Sequence, residues 1–333
     1  MKKWIKFKKL KKLKDLKKDR NGNIFAIASI LFIIPIILMA IMISTLSIDA
    51  SNINQKSITS NSFNYEIEDY KRNIPVLGYY ILDNLSTEIV NSKIAIDDSR
   101  EEIKNRLQRK LDDKSIQYYK NNNIQIKSNV LYVNNNEDPF YITIKTNIQA
   151  NLDDLAYEGV IESNISIINL KDPLPPIFCG NDSTFAYYGI SKYDYGNSLF
   201  NYLHIKSQSN PEAYINATSP AIIKKCHYDP YTQHGDGITM KNCIDNGYYH
   251  ESADGSCYFC RLEGKGGCYH YGLETFIITN KTVDNATIRS TSASDHVIFD
   301  YSYPGNSIII YSYNGLNDII ILDDGHKSKY GLI

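Results

Sequence analysis

Residues 24–48 read IFAIASILFIIPIILMAIMISTLSI, and this apolar stretch decides how the rest of the chain is organised. No charged residue lies between positions 21 and 48. At ~1.5 Å per residue, a helix over 24–48 spans ~37 Å, enough to cross a hydrocarbon core ~30 Å thick with some tilt. Pro35 lies inside the stretch, and proline is tolerated in membrane helices because neighbouring groups satisfy the freed carbonyl. The sequence therefore predicts a transmembrane helix at 21–48.

Charge is distributed unevenly around this helix. Residues 1–20 carry ten Lys and one Arg against two Asp, although the net charge of all 333 residues is −1. Because Lys and Arg favour the cytoplasmic side of a membrane, we expect a basic cytoplasmic tail at 1–20 and an extracellular region at 49–333. This pattern predicts a single-pass protein of the cell membrane. A cleaved secretory signal is less favoured, since its apolar core has only ~7–15 residues.

The junction between the tail and the helix reads Asp19-Arg-Asn-Gly-Asn-Ile-Phe25, with Gly22 at the boundary. A basic leader, a boundary glycine and a long apolar helix resemble the N-terminus of archaeal-type IV pilin-like proteins and Tad-type pseudopilins. The resemblance covers about residues 18–45. It implies processing at Gly22 and assembly of several copies through the helix. The early helix differs from the pilin pattern, because Ala26-Ile-Ala28 stands where pilins carry a Glu.

The outer region begins with a polar, turn-forming stretch at 49–63, which predicts a stalk. Pro75 suits a first helical turn, and apolar residues then recur at four-residue steps. These residues are Leu77, Ile81, Leu85 and Ile89, with Leu82 beside them. A second helix is predicted to begin with a capping box formed by Ser99 and Glu102. Its apolar positions are Ile103, Leu107 and Leu111.

After the second helix the apolar period changes to two, which is typical of strands. We predict a hairpin from 124–133 and 140–148, and a third strand over 160–170. Asp172-Pro-Leu-Pro-Pro176 follows, and consecutive prolines cannot continue a paired strand. The predicted domain at 64–176 therefore has two helices and an antiparallel sheet, which places the chain in the α+β class.

The remaining sequence divides by composition. Residues 177–274 hold all six cysteines and few periodic apolar runs, which predicts a Cys-rich loop module. Residues 275–333 return to apolar runs and predict a C-terminal antiparallel β region. Its strands are expected at 275–279, 296–301, 307–313 and 318–322, with Asn314-Gly315 opening the last hairpin.

The cysteines are the main candidates for structural chemistry. They are Cys179, Cys226, Cys243, Cys257, Cys260 and Cys268. An even number of cysteines in an exported module favours three disulfides, and their spacing leaves the pairing open. The alternative is zinc, the one cofactor that these residues suggest, because Cys257-x-x-Cys260 and Cys268-x-His270 have the spacing of a tetrahedral site. Further imidazoles follow Cys226 at His227, His234 and His250.

A catalytic use of the same side chains is a third interpretation. Cys226 or Cys243 would be the nucleophile. The base would be His234, His250 or His270, oriented by Asp236 or Asp254. The sequence has no Gly-x-Ser-x-Gly, Walker or His-Glu-x-x-His motif, and dense cysteine clusters are usually structural. We therefore expect a protein without enzymatic activity.

The favoured prediction is a membrane-anchored cell-surface structural or pilus-like protein with a cross-linked distal module. Its expected partners are membrane lipid and either further copies of the chain or a surface protein, and no nucleic acid is expected. Two alternatives from other classes stay open. One is a surface module that binds carbohydrate or protein, and the other is an extracellular Cys- or zinc-dependent hydrolase.

Overall fold

The computed structural model describes residues 20–180, 184–187, 190–206, 211–228, 231–236, 238–283, 286–292, 295–299, 308–313, 316–321 and 324–331. The chain is mixed α and β, with a long apolar N-terminal helix and small antiparallel sheets, as the sequence predicts at this coarse level. It divides into two compact units, Met1–Glu66 and Ile67–Ile333.

Helix α1, Arg20–Ser92, contains the whole apolar stretch. Within the described part of the chain, it is the one helix long and apolar enough to cross a membrane, judged by length and composition. Its large apolar side chains from Phe25 to Ile48 are exposed all around the helix. A helix that is apolar on every side needs either a protein core or a bilayer to cover it.

Two local features along α1 differ from their sequence patterns. The turn-forming residues of the predicted stalk, 49–63, are helical, and Pro75 lies inside the helix instead of at its first turn. The 49–63 segment contains neither Gly nor Pro, and the helix propensities of its Ser and Asn residues are only moderately poor. Turn-forming composition alone is therefore too weak to end a long helix.

In the second unit, residues 67–92 of α1 and helix α2, Ser99–Asn122, contribute the predicted apolar faces. The buried residues on these faces include Ile81, Leu82, Leu85, Ile89, Ile103, Leu107 and Leu111. Leu77 is half-buried. Apart from Leu77, the four-residue steps in the sequence are thus confirmed as core positions of both helices.

The predicted capping box is wrong by one residue. Asp98 is the N-cap of α2, and its Oδ1 accepts a hydrogen bond of 3.0 Å from the Glu101 backbone N–H. Ser99 is the first helical residue, and its hydroxyl donates to Glu263 Oε1 at 2.7 Å. The Ser99 backbone N–H donates to the same oxygen at 3.1 Å. A distant side chain thus completes the cap, which a local motif cannot reveal.

The three predicted strands form one antiparallel sheet in the order β1-β2-β3. The strands are β1 Gln125–Asn135, β2 Tyr141–Leu152 and β3 Leu155–Ser166. A β-bulge lies between Val130 and Tyr132. Helix α1 approaches the sheet closely at Gly78, where an added Cβ would overlap Ile165 Cδ1. Tyr70 of α1 also shares a hydrogen bond of 2.8 Å with Ser128 of β1, which helps to fix the helix on the sheet.

Short elements follow. The helices are α3 Leu174–Cys179, α4 Ser198–Ile205, α5 Ile238–Asn246, α6 Tyr258–Leu262, α7 Asp295–Phe299 and α8 Asp324–Lys329. The strands are β4 Thr184–Tyr187, β5 Ile190–Asp194, β6 Thr218–Pro220, β7 Tyr249–Ser252, β8 Gly272–Thr275, β9 Ile277–Val283, β10 Ala286–Ser292, β11 Ile308–Tyr313 and β12 Leu316–Ile321. Two 3₁₀ turns occupy Pro211–Tyr214 and Tyr231–Asp236.

A seven-stranded sheet joins the Cys-rich segment to the C-terminal strands. Its order is β11-β12-β10-β9-β6-β5-β4, with β10 and β12 parallel and the other pairs antiparallel. The link between the two predicted regions is the β6–β9 pair, Thr218 opposite Ile278. Strands β7 and β8 form a separate antiparallel pair. The limits predicted for the stalk, the α+β domain, the Cys-rich module and the C-terminal β region stay predictions.

Short helices and strands run through the Cys-rich segment, for which the sequence predicts a loop-rich module. Two buried apolar clusters include its residues, one around Tyr193, Tyr214 and Phe299 and the other around Met240, Phe276 and Tyr330. The expected strand at 296–301 is also wrong over 296–299, which belong to helix α7. The expected final hairpin is present as β11 and β12, and its turn residues Asn314-Gly315 lie outside the described residues.

Candidate metal centres

Two groups of cysteine and histidine side chains converge in the second unit. The first group is Cys226, His234, Cys243 and His250. The second group is Cys257, Cys260, Cys268 and His270, the four residues that the sequence suggests as alternative zinc ligands. Within each group, one potential ligand atom from every residue lies within 4.8 Å of the others.

The sulfur atoms of all six cysteines are described and none is in a disulfide. The predicted disulfides therefore gain no support from the structure. Five of the six cysteines instead lie in the two groups, each beside histidine. This composition, thiol plus imidazole, is the ligand set typical of structural zinc.

Three elements and the connection after β6 supply the first group. His234 lies in the second 3₁₀ turn, Cys243 in α5 and His250 in β7. Cys226 follows β6, and its backbone N–H donates to Tyr249 O of β7 at 2.9 Å. The four side chains are all buried. The first group is therefore formed by tertiary packing and is closed to solvent.

The distances within the first group approach those of a tetrahedral site. Cys226 Sγ lies 3.3 Å from Cys243 Sγ. His234 Nε2 lies 3.0 Å from Cys243 Sγ, 3.6 Å from Cys226 Sγ and 3.2 Å from His250 Nε2. Tetrahedral zinc with bonds of ~2.3 Å to sulfur and ~2.0 Å to nitrogen would separate its ligand atoms by ~3.3–3.8 Å. Small shifts therefore suffice to accommodate the ion.

A backbone hydrogen bond sets the tautomer of His234. Its Nδ1–H donates to Tyr231 O at 2.6 Å, which leaves the lone pair of Nε2 directed at the two sulfurs. Histidine ligands of metals usually have such a partner on the second ring nitrogen. The rings of Tyr231 and Tyr330 pack edge-on against His234 at 5.8 and 5.4 Å between centroids and exclude water from it.

The two thiols of the first group differ in the direction of their pKa shifts. The hydrogen bond from Cys243 lowers the pKa of Cys226, although burial opposes this shift. The same Cys226–Cys243 contact, together with burial, raises the pKa of Cys243. Zinc would supply the positive charge that stabilises the thiolates of both cysteines.

The second group forms around the short helix α6. Cys257 is the N-cap of α6, and Cys260 lies inside the helix. After α6 the chain folds back to the start of this helix, where Cys268 Sγ accepts a hydrogen bond of 3.3 Å from the Cys257 backbone N–H. His270 Nδ1 lies 3.7 Å from Cys257 Sγ and 3.8 Å from Cys260 Sγ. Cys268 is half-buried and His270 exposed, so this group is at the surface.

A buried ion network lies directly beside the second group. Arg261 follows Cys260, and its guanidinium donates to both oxygens of Asp172, at 2.9 and 2.5 Å, and to Asp295. Tyr249 of β7 donates to Asp172 at 2.9 Å. Although burial opposes ionisation, the charges of Asp172 and Asp295 hold the pKa of Arg261 well above its usual range. The network ties α6 to β7 and to α7.

The other predicted site residues lie elsewhere. Cys179 is buried in an apolar cluster with Tyr195 and Leu199 and joins neither group. Burial raises the pKa of its thiol. His227 is exposed and shares a hydrogen bond of 2.7 Å with Tyr248, and Asp254 belongs to neither Cys/His group. The side chain of Asp236 lies outside the described residues.

Every member of the first group can be recognised in the sequence as a candidate residue, but the sequence does not indicate that the four form one metal site. The intervals from Cys226 to His234, Cys243 and His250 match no short motif, so only the density of Cys and His was available as a signal. The second group could be found because a CxxC pair and a CxH pair each place two ligands close together.

Comparison with known proteins adds no relative. No protein-family model matches the sequence, and no curated protein and no solved structure is significantly similar to it.

Proposed function

We propose that this protein is a single-pass, membrane-anchored structural protein of the cell surface whose extracellular domain is held together by two structural zinc ions. Residues 1–20 would lie in the cytoplasm and 49–333 outside. The observation that carries the proposal is the convergence of two complete four-residue Cys/His ligand sets in a chain that also has a long exposed apolar helix.

Zinc binding explains why histidines lie beside the cysteines in both groups, whereas disulfide bonds do not explain it. A bond between Cys226 and Cys243 would leave two buried imidazoles directed at a disulfide that needs no ligand. The second group holds three cysteines, so one disulfide there would leave an odd thiol beside His270. Four ligands around one ion satisfy every member of both groups.

A structural role fits these two centres better than a catalytic role. Catalytic zinc usually keeps one coordination position for water or substrate, whereas each of these groups supplies four protein ligands. The first group is also wholly buried. Zinc binding in such sites contributes directly to folding free energy, because the unfolded chain has no preformed site.

The proposal includes assembly of several copies through α1, as in the pilin-like proteins that residues 18–45 resemble. What supports it is the exposed apolar surface from Phe25 to Ile48 and the glycine at the end of the basic leader. Membrane lipid would cover this surface before assembly, and equivalent helices of other copies would cover it afterwards.

Metal content tests the proposal on the full-length protein in detergent. We expect two zinc ions per chain that resist a weak chelator, and six reactive thiols once the protein is denatured with a strong chelator and no reductant. The variant His234→Gln should lose one of the two ions. His227→Gln is the matched control, since His227 is exposed and outside both groups, and it should retain both ions.

A different result would refute the metal proposal. If the purified protein holds no zinc and its cysteines stay unreactive until reductant is added, the disulfide interpretation is correct. Loss of zinc in His227→Gln but not in His234→Gln would show that the first group is not the binding site.

A further inference from the structure

A third group of potential ligands lies outside the two Cys/His centres. It consists of Asp254, Glu274, His296 and His326, with one ligand atom from each within 4.8 Å of the others. Glu274 Oε2 lies 3.2 Å from His296 Nε2 and 3.0 Å from His326 Nε2. Asp254 Oδ1 lies 3.9 Å from the same nitrogen of His296. Two imidazoles and two carboxylates thus converge on one point.

Separate elements bring these side chains together. Glu274 is in β8, His296 in α7, His326 in α8, and Asp254 in the connection that follows β7. The backbone of α7 is anchored through Asp295, whose carboxylate accepts a hydrogen bond of 3.2 Å from the Thr275 backbone N–H and is paired with Arg261. The group is therefore formed by the fold and not by a local sequence motif.

The central carboxylate is held in one orientation. Glu274 is fully buried, and its Oε1 accepts hydrogen bonds from Tyr330 and, at 2.7 Å, from Lys329. These contacts leave Oε2 directed at the two histidines. Outer contacts of this kind orient carboxylate ligands in metal sites.

The arrangement of donors suits a metal ion. Lys329 and Tyr330 already occupy one oxygen of Glu274, and both histidines direct the same ring nitrogen, Nε2, at the other oxygen. Without a metal, both imidazoles would have to donate to this single oxygen. With a divalent ion, both nitrogens and the oxygen become ligands through lone pairs, which is the usual chemistry of neutral histidine and carboxylate.

Access to solvent distinguishes this group from the first Cys/His centre. Glu274, His296 and His326 are buried, but the Asp254 side chain is 72% exposed. Three interior ligands and one at the surface leave this group open to solvent on the Asp254 side. The nitrogen and oxygen donors also differ from the thiolates of the other two groups and suit first-row divalent ions such as zinc or cobalt.

We propose that Asp254, Glu274, His296 and His326 bind a third divalent transition-metal ion, which exchanges through the exposed side at Asp254. This site is additional to the two structural centres and does not depend on them. An ion held there would join β8, α7 and α8, and water would reach it from the Asp254 side.

Cobalt binding tests this site on the full-length protein in detergent. After brief treatment with a weak chelator, the wild type should take up one Co²⁺ per chain. The spectrum of this ion should lack the sulfur-to-metal charge-transfer band that thiolate ligands produce. Asp254→Asn, a change at an exposed position, should weaken Co²⁺ binding at least tenfold, and His326→Gln should abolish it.

Two controls keep the result interpretable. His227→Gln should bind Co²⁺ like the wild type, because His227 is outside the group. The two chelator-resistant zinc ions should remain in Asp254→Asn and His326→Gln, which shows that the fold is intact. The proposal is overturned if the treated wild type takes up no Co²⁺, if the bound Co²⁺ shows the thiolate band, or if Asp254→Asn and His326→Gln bind it unchanged.

Discussion

Arg261 and Asp172 form a two-bond ion pair with no exposure to solvent, although 89 residues separate them in the sequence. Arg261 follows the CxxC pair, and Asp172 follows the three-stranded sheet. The pair therefore connects the second Cys/His group to the end of the sheet region. A buried charge of this kind persists only where partners surround it, and Asp295 and Tyr249 complete the set.

Removing the Arg261 side chain should destabilise the second unit strongly. Arg261→Ala leaves Asp172 and Asp295 buried without their cation, and the expected loss is ~3–5 kcal/mol of the free energy of unfolding. Urea titration followed by circular dichroism measures it. Arg106→Ala is the control, because Arg106 pairs with Glu88 and Glu102 near the surface and such pairs contribute ~0–1 kcal/mol. If Arg261→Ala and Arg106→Ala lost the same free energy of unfolding, the stabilising role of the buried Arg261 network would be contradicted.

The apolar face of α2 offers a second comparison. Leu107→Ala removes a fully buried side chain and should cost ~2–5 kcal/mol of the free energy of unfolding. Ile116 lies on the same helix but is 53% exposed, so Ile116→Ala should change stability by no more than ~0.5 kcal/mol. The same urea titration applies. If Ile116→Ala proved the more damaging, the described packing of α2 would be wrong.

The contrast between these positions shows what the sequence can predict. Ile103, Leu107 and Leu111 recur at helical spacing, and burying one stripe of a helix is enough to explain that pattern. The strands from 124 onward follow the period of two in the same way. Such periodic features depend on local geometry, so they can be recognised without knowing the fold.

Other features depend on tertiary contacts and could not be predicted. The residues after Asp295 are β-branched or aromatic and suggest a strand, yet they form α7, where Asp295 bonds to Arg261 and to its own helix at His296 N. The third ligand group joins Asp254 to residues from β8, α7 and α8. No short spacing relates these positions, so nothing in the sequence indicates that they meet.

The topology of the chain predicts the result of proteolysis on intact cells. Because the basic tail precedes the one candidate membrane helix of the described chain, protease added to protoplasts should digest the region after residue 48 and spare residues 1–20. Antibodies to each end would follow the fragments on a gel. A protected C-terminal region would place the folded domain in the cytoplasm and contradict the surface location.

Processing at the tail distinguishes a plain anchor from a pilus-like protein. A mature N-terminus at Asn23 would match cleavage after Gly22 and support assembly, and Gly22→Leu should then block it, with Ala50→Leu, at an exposed helical position outside the leader, as the control. An N-terminus at Met1 would support the plain anchor. N-terminal sequencing decides between them, and a start near Ser51 would contradict both.

The most direct test of the zinc proposal is the metal content of two cysteine variants. Cys260 belongs to the second group, whereas Cys179 is buried in an apolar cluster away from any ligand group described. Mass spectrometry of the purified full-length protein should find two chelator-resistant zinc ions in the wild type and in Cys179→Ser, and one in Cys260→Ser. Absence of zinc from the wild type, or two retained ions in Cys260→Ser, would contradict the claim that zinc organises this domain.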